Sequence, residues 1–402
     1  MSTWQADTNS RPDGPGARPV LTPRRAPGKL GPVHVFQLLA VEVGIVGVLA
    51  AAGRSALAVV VAGVLTVALL VAVLARRKGR WWVDDRMVAS QLRRRSRTRA
   101  PDHPEPRLTA LRALAPGLAI ENIALADDSS VGVGRDEAGW FGVVEVAPEA
   151  VVTSEAPGAG VPVSALLAAL TETGQPGTVL QIVAHAVPAS PTATPAGQSY
   201  RQLVGDAVVA SEYTTWMAVR LDEQGLAESG ADPYRNADLA ASVVATVVRR
   251  VGKTLRHAGV AHRVLDADGL LSALAHACDL TPASGGATVR PREEWSLWHS
   301  RDLAHRSFWL SDWPPATQAD ALLRWLTRAP ATATTVSLVL VPRDRLVDMR
   351  CLVRLAAPVD QLAGLCQQLD RGVRKANARL FALDGEQGLA VYASAPTGGG
   401  GG

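Results

Sequence analysis

The sequence predicts an α+β cytoplasmic region built of two related βαββαβ-like units, preceded by an N-terminal two-helix transmembrane hairpin. Two apolar runs, Val33–Ala52 and Ala56–Ala75, stand back to back near the start of the chain. Basic residues crowd both flanks of the pair and nearly spare its connection. Beyond them, the order strand, helix, strand, strand, helix, strand can be read twice.

A hydrocarbon core of ~30 Å needs about 20 helical residues rising ~1.5 Å each, so either run is long enough to cross it. The stretch AVVVAGVLTVALLVAVLA of the second run has Thr66 as its single polar residue and no polar face at helical spacing. Arg24, Arg25 and Lys29 precede the pair; Arg76, Arg77, Lys78 and Arg80 follow it; the link Gly53-Arg54-Ser55 carries one arginine. The positive-inside rule therefore places both termini in the cytoplasm, residues 53–55 outside, and the chain in the plasma membrane with two spans. A signal peptide does not fit, because two full spans come in succession without a preceding n-region and cleavage site.

Within the hairpin, Gly47, Ala51 and Ser55 recur at every fourth position, and Ala58 and Ala62 repeat that spacing. Small residues let helices approach closely, so these are expected packing faces. Glu42 lies in the middle of the first run, where a carboxylate costs ~2.5–3.5 kcal/mol. It reads as a polar contact with a neighbouring helix, with a proton relay as the alternative. Glu42, Gly47 and Ala51 are thus candidate contacts with partner helices.

The next segment, GRWWVDDRMVASQLRRRSR, is basic and amphipathic. Trp81 and Trp82 suit the headgroup boundary. Arg93, Arg94 and Arg95 would attract anionic membrane lipids at ~1 kcal/mol per basic residue. A solvated charge run is the plainer reading of the same arginines. The prolines from Pro101 to Pro106 then break the helix.

Charge separates this region from the rest. Residues 1–100 hold sixteen Lys or Arg against five Asp or Glu, a net of +11, so the remainder carries −7 of the overall +4. A mildly acidic globular part argues against a phosphate-binding surface, and no nucleic-acid partner is expected. The three cysteines, Cys278, Cys351 and Cys366, contain no CxxC pair and read as reduced, mostly buried thiols.

In chain order, residues 1–31 read as a disordered cytoplasmic tail and 32–76 as the transmembrane hairpin. Residues 77–110 form a basic juxtamembrane helix and linker, 111–290 the first α+β unit, 291–396 the second, and 397–402 a flexible glycine tail. The duplication rests on repeated elements. ALLAALT (Ala165–Thr171) returns as ALLRWLT (Ala321–Thr327), and each precedes a strand-like run from Thr178 or Thr335. A second run follows, from Thr214 or Met349, then a long amphipathic helix, Ala237–Ala258 or Pro358–Ala376. Arg256, Ala258, Leu265 and Asp266 then align with Arg374, Ala376, Leu383 and Asp384. Aromatic strands, Trp140–Val146 and Ser307–Trp309, open the copies. Asp127–Glu145 reads as a hairpin turning near Asp136–Gly139, and the final RLFALDGEQGLAVYAS as another turning at Asp384–Gly388.

No catalytic motif survives inspection. Gly252-Lys253-Thr254 resembles the end of a phosphate-binding loop, but Val247 stands where that loop needs glycine and the segment is helical. Gly132, Gly134 and Gly139 fail the GxGxxG spacing, and neither GxSxG nor HExxH occurs. His299 and His305 lie near four tryptophans and read as a tryptophan-rich core or contact patch rather than a metal site. The paired carboxylates Asp84-Asp85, Asp127-Asp128 and Glu293-Glu294 read as solvated acids. No catalytic, cofactor-binding or metal residue is assigned.

The basic tail, the two closely spaced spans, the RRKGRWW…RMVASQLRRR segment and the α/β region after it together resemble EccE, a membrane subunit of actinobacterial type VII (ESX) secretion. The resemblance implies a non-catalytic structural subunit of the translocon that stabilises the membrane complex and supports export of small helical substrates. Its implied partners are the EccB, EccC and EccD subunits. EccC is the motor ATPase of that family, so no cofactor is implied for this chain. Two other classes stay open: a membrane-tethered, transferase-like enzyme, which would need a metal or acid/base cluster, and an unrelated membrane scaffold or regulator.

Overall fold

The computed structural model describes residues 29–30, 33–53, 55–74, 76–77, 80–97, 103–125, 129–147, 162–172, 175, 177–188, 211–222, 237–281, 291–343 and 346–400. Residues 1–28 of the predicted N-terminal tail lie outside the described residues, and Lys29–Leu30 pair antiparallel with Val33–His34. The chain divides into two compact bodies, one spanning Pro23–Thr98 and the other running from Arg99 to Gly402.

The first body holds helices α1 (Val35–Ala52), α2 (Ala56–Leu74) and α3 (Trp82–Arg97). Ser55 caps α2, its hydroxyl accepting from Ala58 N–H at 3.2 Å. Where α1 meets α2, a Cβ on Gly44 would stand 2.5 Å from Thr66 Cγ2, and Thr66 Oγ1 lies 3.3 Å from the Gly44 carbonyl. Ala51 is buried as well, whereas nothing lies within 4 Å of a Cβ built on Gly47. The packing stripe is therefore Gly44 and Ala51, not the predicted Gly47, Ala51 and Ser55. Seven residues return almost to the same helix face, while each step of four drifts by about 40°. In α3, Asp84 and Asp85 occupy the first turn and Arg94, Arg95 and Arg97 the last, the charge order the helix dipole favours.

The second body is organised by one sheet that has twelve strands among the described residues. They are β1 (Ala119–Ala124), β2 (Ser130–Asp136), β3 (Gly139–Val146), β4 (Thr178–Pro188), β5 (Ser211–Asp222), β6 (His262–Val264), β7 (Arg292–Glu293), β8 (Trp298–His299), β9 (Ala304–Asp312), β10 (Ala333–Arg343), β11 (Leu346–Ala357) and β12 (Arg379–Ala382). Its helices are α4 (Pro106–Arg112), α5 (Val163–Thr171), α6 (Ala237–His257), α7 (Ala267–Ala277), α8 (Ala316–Thr327), α9 (Val359–Lys375) and α10 (Gln387–Ser394).

The strands run β7-β8-β9-β11-β10-β4-β5-β3-β2-β1, with β6 added beside β3 and β12 beside β9. Read by halves, β3-α5-β4-β5-α6-β6 pairs in the order β6-β3-β5-β4, and β9-α8-β10-β11-α9-β12 in the order β12-β9-β11-β10. Both are the split βαβ arrangement, with the fourth strand beside the first and the third between first and second. Ala165–Thr171 and Ala321–Thr327 each close the first helix of a half. The halves join through their second strands: β4 and β10 pair antiparallel from Thr334↔Ala186 to Leu340↔Leu180.

Alternation along the strands gives the sheet two different faces. On one, α5 and α6 bury Leu166, Leu170, Val244, Val248 and Leu255 against Val144, Leu180, Met217 and Val219. On the same face α8 and α9 bury Leu322, Leu326, Leu369 and Val373 against Phe308, Val336, Cys351 and Val353. Each such side chain contributes about 1.5–3 kcal/mol of transfer free energy. Gly252-Lys253-Thr254 sits inside α6, as its apolar periodicity requires.

The opposite face is covered by α4, α7 and α10, with Leu111, Phe141, Trp216, Leu274, Val391 and Tyr392 in the core between. Two sequence expectations fail here. The predicted hairpin over RLFALDGEQGLAVYAS is strand β12 followed by helix α10. All of α10 except Leu389 is buried, so the helix lacks the polar face that marks a surface helix and its sequence imitates a strand. The predicted glycine tail also fails over Thr397–Gly400, which is packed on the sheet; residues 401–402 lie outside the described residues.

Candidate functional site

The residues singled out in the sequence all fall in the first body. Glu42 and Gly47 are exposed on α1, Ala51 is buried, and Arg93 and Arg94 are exposed near the end of α3 with Arg95 half-buried. Trp81 and Trp82 stand where α3 begins, with their side chains outside the described residues. Gly44 was missed because it sits outside the every-fourth-residue pattern.

Of eighteen exposed large hydrophobic side chains among the described residues, thirteen belong to α1 and α2, from Val41 to Val71. They point around the helices rather than along one stripe: Val60, Val61, Val64, Leu65 and Val67 are all more than half exposed. Within these helices side chains are described at 41–52 and 56–71. Among the described residues no helix is long and apolar enough to cross a membrane.

The second body contains a polar seam buried between the sheet and α7 and α10. Arg220 on β5 grips Asp136 at the β2–β3 turn through two bonds, Nη1 to Oδ1 at 2.7 Å and Nη2 to Oδ2 at 2.6 Å. Both side chains are 4% exposed. Tyr392 of α10 donates its hydroxyl to the same carboxylate at 2.7 Å. Burial alone would raise the Asp136 carboxyl, but the guanidinium and the tyrosine hold it below its ordinary value. The same burial, with the carboxylate beside it, pushes the Tyr392 hydroxyl well up.

Further along, Ser300 donates to Asp279, and His305 Nε2 lies 3.2 Å from Ser300 Oγ and 3.5 Å from Asp279 Oδ2. Serine, histidine and aspartate together invite comparison with a nucleophilic triad, but the geometry differs. In a triad the two imidazole nitrogens serve different partners, one taking the serine proton and one bonded to the acid. Here both partners meet at Nε2, Nδ1 is buried without a partner, and the serine hydroxyl donates its hydrogen bond to the carboxylate. Burial drives His305 down to about 4, and Trp298 packs edge-on against its ring at 4.8 Å. Of the four tryptophans expected around His305, Trp298 packs on its ring and Trp295 is exposed.

Arg354 of β11 is 2% exposed and donates to Ala277 O and to Thr335 Oγ1. Thr335 also bonds His185 Nδ1 at 2.9 Å. Ser307, Arg354, Thr335 and His185 are direct cross-strand neighbours, so the polar row runs through the join between halves. The seam has no sequence motif, because Gln181, His185, Arg220 and Arg354 each stand between apolar neighbours in their strands. Glu293, expected to be solvated, accepts from Gly388 N–H at the start of α10.

Cys278, Cys351 and Cys366 are free thiols, each raised by burial, to about 11, 12 and 11. Among the described residues no group of three or more His, Cys, Asp or Glu side chains is placed to hold a metal ion.

Residues 209–310 fit the family described as "Putative type VII ESX secretion system translocon, EccE". The matched stretch is 102 of 402 residues and runs from β5 through α6, β6 and α7 to β9, including Arg220, Asp279, Ser300 and His305. No curated protein matches the chain.

Proposed function

We propose, from the match of residues 209–310 to the EccE family of type VII secretion translocon components, that the chain is a non-catalytic, membrane-anchored structural subunit of such a translocon. The observation that carries this reading is the concentration of uncovered valine and leucine side chains around α1 and α2. Contiguous apolar surface on this scale is unstable in water and suits lipid or neighbouring apolar helices. By backbone extent the helices have 18 and 19 residues, or ~27 and ~28 Å at 1.5 Å per residue, close to a ~30 Å hydrocarbon core.

On this reading the pair is an anchor with both termini cytoplasmic and residues 53–55 outside. Two helices enclose no lumen, so the conducting path belongs to other subunits. Glu42 and the open face at Gly47 would meet neighbouring helices, and Ala51 would hold the hairpin closed. Trp81, Trp82 and the arginines 93–95 would set the segment at the headgroups, against anionic lipids. The partners would be EccB-, EccC- and EccD-like subunits, and the chain would stabilise their assembly while the chemistry is done elsewhere. Domain limits at 32–76, 77–110, 111–290 and 291–396 belong to the same reading.

Purification in mild detergent tests it. The chain should migrate in a large membrane complex, and its deletion should weaken both that complex and export of cargo. Reversing charge at Arg93, Arg94 and Arg95 should reduce recovery of the complex at unchanged chain level. A chain that runs alone and turns over a soluble substrate would overturn the proposal.

A further inference from the structure

We propose that Asp136, Gln181, Arg220 and Tyr392 form a binding site for a glycine-rich peptide, filled in cis by residues 397–400. The site lies wholly in the second body and owes nothing to the family match.

The site reads backbone, not side chains. Arg220 Nε donates to the Thr397 carbonyl at 2.7 Å. Gln181 Oε1 accepts from the amides of Gly398 and Gly399 at 2.6 and 3.1 Å. Thr397 Oγ1 turns back to the Tyr392 carbonyl at 3.1 Å. Gln181 is itself held by its other end, Nε2 donating to Ser337 Oγ at 2.7 Å and to Ala393 O at 2.8 Å. Its carbonyl is thereby aimed before the glycines arrive.

Three successive positions exclude any side chain. Gly398 and Gly399 have φ of +75° and +73°, the left-handed region where other residues are strained. A Cβ on Gly398 would stand 2.4 Å from Arg220 Cβ, and one on Gly399 would stand 2.9 Å from Val339 Cγ2. At Gly400 it would meet Arg220 Nη2 at 2.1 Å and Asp136 Oδ2 at 3.1 Å. The Asp136–Arg220 pair thus forms the floor of the site, and its fixed bidentate geometry sets the limit on size.

The cradle also depends on its occupant. Gln181 is fully buried, and both bonds to its Oε1 come from the strap. Without Thr397–Gly399, that oxygen and Arg220 Nε would lose these partners. A peptide presenting one carbonyl and two successive glycine amides would satisfy them equally well in trans.

Hydrogen exchange on the full chain in detergent is the first test. The amides of Gly398 and Gly399 should exchange about 100-fold more slowly than in a free Thr-Gly-Gly-Gly peptide. Gln181→Met should remove that protection while amides of the β4–β10 pair keep theirs. The second test vacates the site with Gly398→Ala and Gly399→Ala together. A labelled Ala-Pro-Thr-Gly-Gly-Gly peptide should then bind saturably, about tenfold or more tighter than Ala-Pro-Thr-Ala-Ala-Ala. The unmodified chain, its site filled, should bind neither. Free-peptide exchange rates at both glycines of the unmodified chain would overturn the proposal, as would equal binding of the two peptides or binding of neither by the folded vacated chain. If the doubly substituted chain does not fold, the exchange rates with and without Gln181→Met decide the matter alone.

Discussion

Arg220 and Arg354 each lie on the third strand of their own half, and each reaches the closing segment of the other. Arg220, on the third strand of the first half, donates to Thr397 O beyond α10. Arg354, on the third strand of the second, donates to Ala277 O at the end of α7. Their sequence contexts, Ala-Val-Arg-Leu and Leu-Val-Arg-Leu, are alike. The two halves are therefore cross-clasped by a reciprocal pair of buried guanidiniums.

The two arginines should not be equally costly to remove. Arg220→Met leaves Asp136 buried without its main counter-charge and should destabilise the chain by ~3–5 kcal/mol. Arg354 has no carboxylate within ion-pair distance among the described residues. Arg354→Met should cost less, ~1–3 kcal/mol for the orphaned carbonyl and hydroxyl. Denaturant unfolding in detergent would compare them, and equal losses would contradict the assignment.

Stability should fall as acid is added well above the carboxylate range. Unfolded histidine titrates near 6.5, while burial holds His305 at about 4 and His185 well below 6.5. Between those values the unfolded chain takes up protons that the folded chain refuses, so stability declines from pH 6.5 toward 4. Each histidine adds a slope of up to ~1.4 kcal/mol per pH unit. The carboxylates act lower: Asp136 and Asp279 have folded values below ordinary, so their contribution holds above ~4 and is lost beneath it. His305→Gln keeps a donor and should flatten the melting-temperature profile between pH 6.5 and 4.

Two glycines of close approach should respond differently to alanine. At Gly132 the added Cβ would lie 2.4 Å from the Asp266 carbonyl carbon, where backbone must shift, and a loss above ~2 kcal/mol is expected. At Gly372 it would meet the Trp325 indole at 2.1 Å, but that ring is 42% exposed and can swing outward. Gly372→Ala should cost under ~1 kcal/mol on that account and change Trp fluorescence, which an emission spectrum would report.

The proposed membrane orientation can be tested by thiol labelling. An impermeant maleimide applied to intact cells should label Ser55→Cys and spare Asp302→Cys, whose native carboxylate is 81% exposed. Native Cys278 and Cys351 are buried, and the half-buried Cys366 is replaced by serine in both variants to remove its background. Labelling of position 302 from outside would reverse the topology.

Much of this architecture was legible because long periodic segments repeat. The helices Ala237–His257 and Val359–Lys375 and the strand order of both halves follow from apolar spacing. Legibility ended where one face of an element was not distinct from the other. Leu265-Asp266 before α7 aligns with Leu383-Asp384, and carrying the repeat one element further would have placed α10. A short run buried nearly all round offers no such cue by itself. The seam stayed hidden for a different reason: Gln181, Arg220 and Arg354 acquire partners from more than seventy residues away. Glycine repetition at 398–400 likewise looked like freedom, when the sheet beneath allows nothing larger.

The antiparallel seam from Thr334↔Ala186 to Leu340↔Leu180 has a consequence for how the body holds together. Taken singly, each half would end at that strand, with a row of amides and carbonyls open to any extended chain. Fusion in one polypeptide makes their pairing intramolecular, with an effective concentration set by the connecting chain and insensitive to dilution. A half cut free of its twin would recover the open edge, and its natural complement would be another copy of itself.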